Sequence, residues 1–141
     1  MSATAAPSHG SRVVLDGVAF ADAVSAVRGA LAEQGFGVLT EIDVRATMKA
    51  KLDVDVADQV ILGACRPPSA HAAMQVEPSI GLLLPCNVVV RAGDGGSIVE
   101  AVDPDALVRW TGNEALAPIA ADVGERLRAA LAAVEGAGAA R

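Results

Sequence analysis

The chain has 141 residues, 52% of them apolar and 20% charged, enough to close one domain around a core without a disulfide or a metal as staple. Its net charge of -6, its singly scattered basic residues and its three aromatic rings, Phe20, Phe36 and Trp110, argue against a phosphate-backbone groove or a base-stacking platform. No apolar run approaches the roughly 20 residues that cross a bilayer, and Met1 to Gly10 lacks the basic start and apolar centre of a secretory signal. The expectation is therefore a cytoplasmic protein with reduced thiols and with neither nucleic acid nor membrane as partner.

Residues 1–11, rich in Ala, Ser and Gly, read as a flexible leader. Arg12 to Leu15 is β-branched and closed by Asp16-Gly17, which predicts a first strand. Phe20, Val24, Val27 and Leu31 recur at helical spacing, and Gly35 suits the left-handed residue past that helix, with Phe36 as the apolar contact behind it. Gly37 to Asp43 predicts a second strand with Val38, Thr40 and Ile42 on one side, and Asp43 suits the cap of a short helix through Ala46, Met48 and Leu52. Lys49 and Lys51 sit about 200° apart on such a helix and form no common basic face.

Two apolar runs follow, Gln59 to Cys65 and Ile80 to Ala92, separated by a proline-bounded insert that predicts a helix from Pro67 and Pro68 to Pro78. The second run is apolar on consecutive positions, which predicts a strand covered on both faces, with Pro85 marking an edge or a bulge. Gly93-Asp-Gly-Gly96 is a tight-turn signal joining that strand to Ser97–Val102 in a hairpin. Asp103-Pro104 opens a short helix ending near Gly112, and Leu116, Ile119, Val123, Leu127, Leu131 and Val134 form one stripe on a long helix with Pro118 near its start. The fold class this order predicts is α+β, an antiparallel-rich sheet packed against helices, in a single domain over residues 12–135 with a frayed tail at 136–141.

Candidate chemistry gathers on the central runs. Cys65 and Cys86 are the only cysteines, and thiols on neighbouring strands can bind a soft metal or cycle as a dithiol, with His71 one turn into the intervening helix as a third ligand. Against this, the spacing Cys-x5-His-x14-Cys matches no standard zinc module, and a buried free cysteine is an ordinary core residue. Asn87 lies inside an apolar strand, where a buried amide must find partners across a bulge or an interface. Arg66 joins Cys65, Cys86 and Asn87 as a candidate ligand-binding residue. Two histidines, one of them in the leader, assemble no Ser-His-Asp or Cys-His-Asn set, and the turn at Gly93–Gly96 lacks the Lys-Ser/Thr pair of a phosphate cradle.

Gln59-Val-Ile-Leu-Gly-Ala-Cys-Arg-Pro67 followed by Ala70, then Ile80-Gly-Leu-Leu-Leu-Pro-Cys-Asn-Val-Val-Val90, resembles the signature of the domain of unknown function 302 family. The helix ending in Gly35-Phe36, the segment Met48 to Leu52 and Asp103-Pro104 resemble further elements of that family, so the likeness covers residues 12–134. The resemblance implies a compact α+β fold of the TATA-binding-protein-like type, usually met as a homodimer, and it implies no activity or cofactor. One departure is Arg66, where the family commonly has Asn; Arg cannot cap the following helix through a side-chain oxygen.

The sequence thus supports two readings. The first is a cytoplasmic, non-catalytic homodimeric module that binds a small ligand or protein partner in an apolar groove between sheet and long helix. The second is a thiol protein using Cys65 and Cys86 in metal or redox chemistry. The proximity and exposure of the two sulfurs discriminate between them.

Overall fold

The computed structural model describes residues 5–139. Strands β1 (Gly10–Asp16), β2 (Gly37–Asp43), β3 (Gln59–Cys65), β4 (Cys86–Gly93) and β5 (Gly96–Val102) alternate with helices α1 (Phe20–Glu33), α2 (Val44–Leu52), α3 (Pro67–Val76), α4 (Asp105–Thr111) and α5 (Ala117–Ala139). The strands form one sheet in the order β1-β5-β4-β3-β2, with every neighbour antiparallel. This is the α+β architecture that the element order predicts, and it is consistent with a TATA-binding-protein-like layout.

β1 and β2 occupy opposite edges of the sheet, so α1, which joins them, must cross one whole face. It does so with Ala23, Val27 and Leu31 turned inward, and α5 lies beside it with Val123, Leu127, Ala130, Leu131 and Val134 buried. Side chains of period two on the sheet meet them: Val60, Leu62 and Ala64 from β3, Cys86, Val88 and Val90 from β4, and Val99 and Ala101 from β5. Val, Leu and Ala build this core almost without rings, and Phe36 is the one aromatic side chain fully inside it. A smaller cluster of Ala73, Ile80 and Leu116 ties α3 to the start of α5. Among the described residues the single buried polar side chain is Ser97, whose hydroxyl donates to the Val18 carbonyl (2.8 Å).

Local signals behave as their chemistry requires. Gly35 takes φ +85°, and the amides of Gly35 and Phe36 close on the carbonyls of Ala32 and Leu31, ending α1. The Ala46 amide donates to Asp43 Oδ1 (2.9 Å), which caps α2, and the Asp105 amide donates to Asp103 Oδ1 (3.0 Å) before α4. Gly95 supplies the positive φ of the β4–β5 turn. At Arg66 no side-chain cap forms at the start of α3.

Several expectations are corrected. The run from Ile80 is not a strand at its start: Pro78–Leu83 winds into a 3-10 turn, and β4 begins only at Cys86, after a cis Leu84–Pro85 peptide. Pro85 therefore precedes the ladder and does not interrupt it. β4 is also not covered on both faces, because α1 and α5 lie on one side only and Asn87, Val89 and Arg91 point to the other. In β2, a bulge at Leu39 between Val38 and Thr40 moves Val38 to the face opposite Thr40 and Ile42. β1 starts at Gly10, inside the stretch read as leader, and α5 runs to Ala139, past the expected tail boundary at 136. Residues 1–4 of the predicted leader and 140–141 of the predicted tail lie outside the described residues.

Candidate functional site

The C-terminal end of β3 and the start of β4 lie side by side, with Ala64 opposite Cys86. Where the two strands leave the sheet, the chain turns away into α3 on one side and arrives through the 3-10 turn on the other. Neither fills the space beneath α5. A cavity of about 240 Å³ remains there, between the sheet end, α3 and α5. Phe36, Ala64, Met74, Leu107 and Val123 give it an apolar wall, and Cys65, Cys86, Arg66 and Ser69 stand in it as well.

The polar edge has a definite arrangement. Arg66 Nη1 donates to Ser69 Oγ (2.9 Å) across the first turn of α3. The Arg66 side chain runs over Gly35, where an added Cβ would lie 3.4 Å from its Nε. Gly63, next to Ala64, is confined on its own account: a Cβ there would run into the Thr40 hydroxyl and lie 2.7 Å from Pro85 Cγ. Glycine lets β2 and the Pro85 turn close on β3 at this point.

The candidate residues divide. Cys65, Cys86 and Arg66 share the cavity, and both cysteines are free thiols. Burial, and then the neighbouring Cys65, push the Cys86 thiol up to about 11, so it keeps its proton at neutral pH and is a weak nucleophile. His71 is exposed on α3 and takes no part in the cavity wall. Among the described residues no three His, Cys, Asp or Glu side chains gather closely enough to hold a metal ion, which corrects the expected Cys65–Cys86–His71 ligand set.

Asn87 is not buried within the chain, as its place in an apolar strand would suggest: it is exposed on the sheet face away from the helices. It lines a different hollow of about 380 Å³ beyond Leu84, Pro85 and Cys86, rimmed by the exposed Leu82 and Trp110. Ser69, Ala70 and Phe36 also line the first cavity; the sequence marks Ala70 and Phe36 only as parts of the family-like motifs, and Ser69 only by its place beside Arg66.

The uncovered sheet face has its own pattern. Ile42, Ile61 and Val89 stand in register across β2, β3 and β4, and the next strands continue the row with Glu100 and Arg12. Arg12 binds Glu100 (2.7 Å) from one side and Arg91 binds it from the other. Burial alone would raise the Glu100 carboxyl, but the hydrogen bonds and charges of Arg12 and Arg91 outweigh it and hold the group below its ordinary value.

The sequence profile of a family described as domain of unknown function DUF302 matches residues 12–134. The chain belongs to the DUF302 family. A crystal structure of an uncharacterized conserved DUF302 protein from Bacillus stearothermophilus is similar to it, with a TM-score of 0.83 and 28% sequence identity over 90% of this chain and 98% of that one. No curated protein matches. DUF302 membership thus fixes the fold and the family without a reaction, and the functional argument rests on the cavity. Among the described residues no helix of this DUF302 chain is long and apolar enough to cross a membrane.

Proposed function

We propose that this chain is a non-catalytic, cytoplasmic binding module that works as a homodimer and takes a small apolar ligand into the cavity between β3, β4, α3 and α5. The observation that carries the reading is the cavity itself, about 240 Å³ with an almost wholly apolar wall. An apolar cavity of roughly 150 Å³ is enough to bind benzene, and this hollow is larger and opens to the surface, so a ligand can reach it. The thiol reading has less support, since the Cys86 thiol stays protonated and His71 stands apart. Free thiols suit a reducing compartment.

The ligand reading is tested by titrating the protein with octan-1-ol while following backbone amide NMR signals. Saturable shifts at Ala64, Ala120 and Val123 are expected, and Ala70→Phe, which puts a ring into the cavity from a half-buried position, is expected to abolish them. Shifts that do not saturate, or that survive the plug, would overturn the reading.

Support for the homodimer comes from two surfaces. Among the described residues no helix covers the sheet face bearing Ile42, Ile61 and Val89, and α2 has no buried residue although a helix of nine residues is marginal without tertiary packing. Leu52, the last residue of α2, and Val54 and Val56 beyond it are exposed too. Light scattering at micromolar concentration is expected to give about twice the 14.1 kDa chain mass; a particle of that single mass would sink the dimer.

A further inference from the structure

The cavity is apolar but its edge is not neutral, and the asymmetry selects among ligands. Among the described residues Arg66 is the only charged side chain in its wall, and no Asp or Glu lines it. Arg12, Arg28, Arg45, Arg91 and Arg126 each lie beside a carboxylate. Arg66 forms no such ion pair among the described residues: its contact is the neutral Ser69 hydroxyl, which takes one of the five N–H donors of the guanidinium. The side chain is not loose either, since its stem lies over Gly35 and its Nη1 is tied to α3. A half-buried guanidinium, held in place and lacking a counter-charge at the edge of an apolar hollow, is complementary to a carboxylate with a hydrocarbon tail.

We infer that the cavity takes an amphipathic monocarboxylate, its tail among Phe36, Ala64, Met74 and Val123 and its carboxylate on Arg66 and Ser69. The inference rests on the cavity-binding reading above and goes further by naming the ligand's chemical class. Size limits the tail. If roughly 150 Å³ accommodates the six carbons of benzene, a cavity of about 240 Å³ accommodates about ten non-hydrogen atoms, the size of octanoate. A cationic analogue would meet the guanidinium with like charge, and a neutral one would leave its remaining donors without an anionic partner.

The test compares octanoate, octan-1-ol and octylammonium, each below its aggregation concentration, by calorimetry and amide NMR on the full chain at neutral pH. Octanoate is expected to bind about tenfold more tightly than octan-1-ol, and octylammonium more weakly than either. Arg66→Gln is expected to cost octanoate about tenfold and to leave octan-1-ol within about twofold; Arg66→Lys, which keeps the charge but loses the planar fork, should fall between. Unchanged octan-1-ol affinity certifies that the variants keep a folded cavity. If octanoate and octan-1-ol bind the native chain equally, or if Arg66→Gln weakens both alike, the carboxylate assignment fails while the cavity reading stands. If neither binds the native chain, the cavity reading itself has failed.

Discussion

Replacing Leu127 by Ala is expected to destabilise the chain by about 2–5 kcal/mol, a large part of the roughly 5–15 kcal/mol that holds a domain of this kind together. Leu127 is 1% exposed and belongs to the cluster in which α5, α1 and the sheet meet. Its neighbours there include Leu31, Leu131 and Val27, all on helices or strands fixed by their own buried residues, so the structure has little freedom to collapse into the space left behind. The transfer cost of the lost methyl groups and the cost of the void therefore add. Thermal unfolding is expected to shift down on the order of 10 °C, and a urea titration to show a lower midpoint at unchanged slope. A loss below about 1 kcal/mol would mean that α5 does not seal the core as described.

The second large effect is expected at Gly96, where β5 leaves no room for a side chain against the backbone at the end of β1. A Cβ at this position would penetrate the Leu15 carbonyl oxygen and lie 3.0 Å from the Gly17 nitrogen and 3.1 Å from Asp16 Cα. All three are backbone atoms: Leu15 and Asp16 are held in the β1–β5 ladder, and the Gly17 amide just past it is bonded to the Gly95 carbonyl (2.7 Å), so none can give way cheaply. Gly96→Ala is expected to cost about 1–3 kcal/mol, the range for forcing extra volume into a packed site. Gly29→Ala is the matched control: it sits on α1, a Cβ there meets nothing within 4 Å, and the change should stabilise by up to about 1 kcal/mol. Denaturation midpoints of the two variants moving in the same direction would contradict this account of β1 and β5.

What the sequence disclosed follows from how local each signal is. The stripes of α1 and α5, the Asp43 cap, the left-handed Gly35 and the turn at Gly93–Gly96 are set by residues within a few positions of one another, and each appears where the spacing puts it. The misreadings concern what covers a residue. Cys86 to Val90 looks apolar apart from Asn87, but only Cys86, Val88 and Val90 reach the helices, and Asn87 and Val89 face a side that no element among the described residues roofs. Apolar content could not show whether Ile80–Leu84 extends or coils; the contact of Ile80 with Ala73 and Leu116 decides for a 3-10 turn. The candidate site was half legible. Cys65, Arg66 and Cys86 flank the break between the two apolar runs and do line the cavity, whereas His71, five residues and about 140° round the helix from Arg66, falls outside it.

The bulge at Leu39 has a consequence for how copies of this chain can meet. β2 is an outer strand, and an uninterrupted outer strand invites another chain to extend the sheet sideways. The extra residue breaks the regular spacing of outward-pointing amides and carbonyls midway along it, and Glu41 and Asp43 set like charges against any identical strand laid alongside. Lateral strand addition, the first step toward fibrils, is therefore obstructed at this edge.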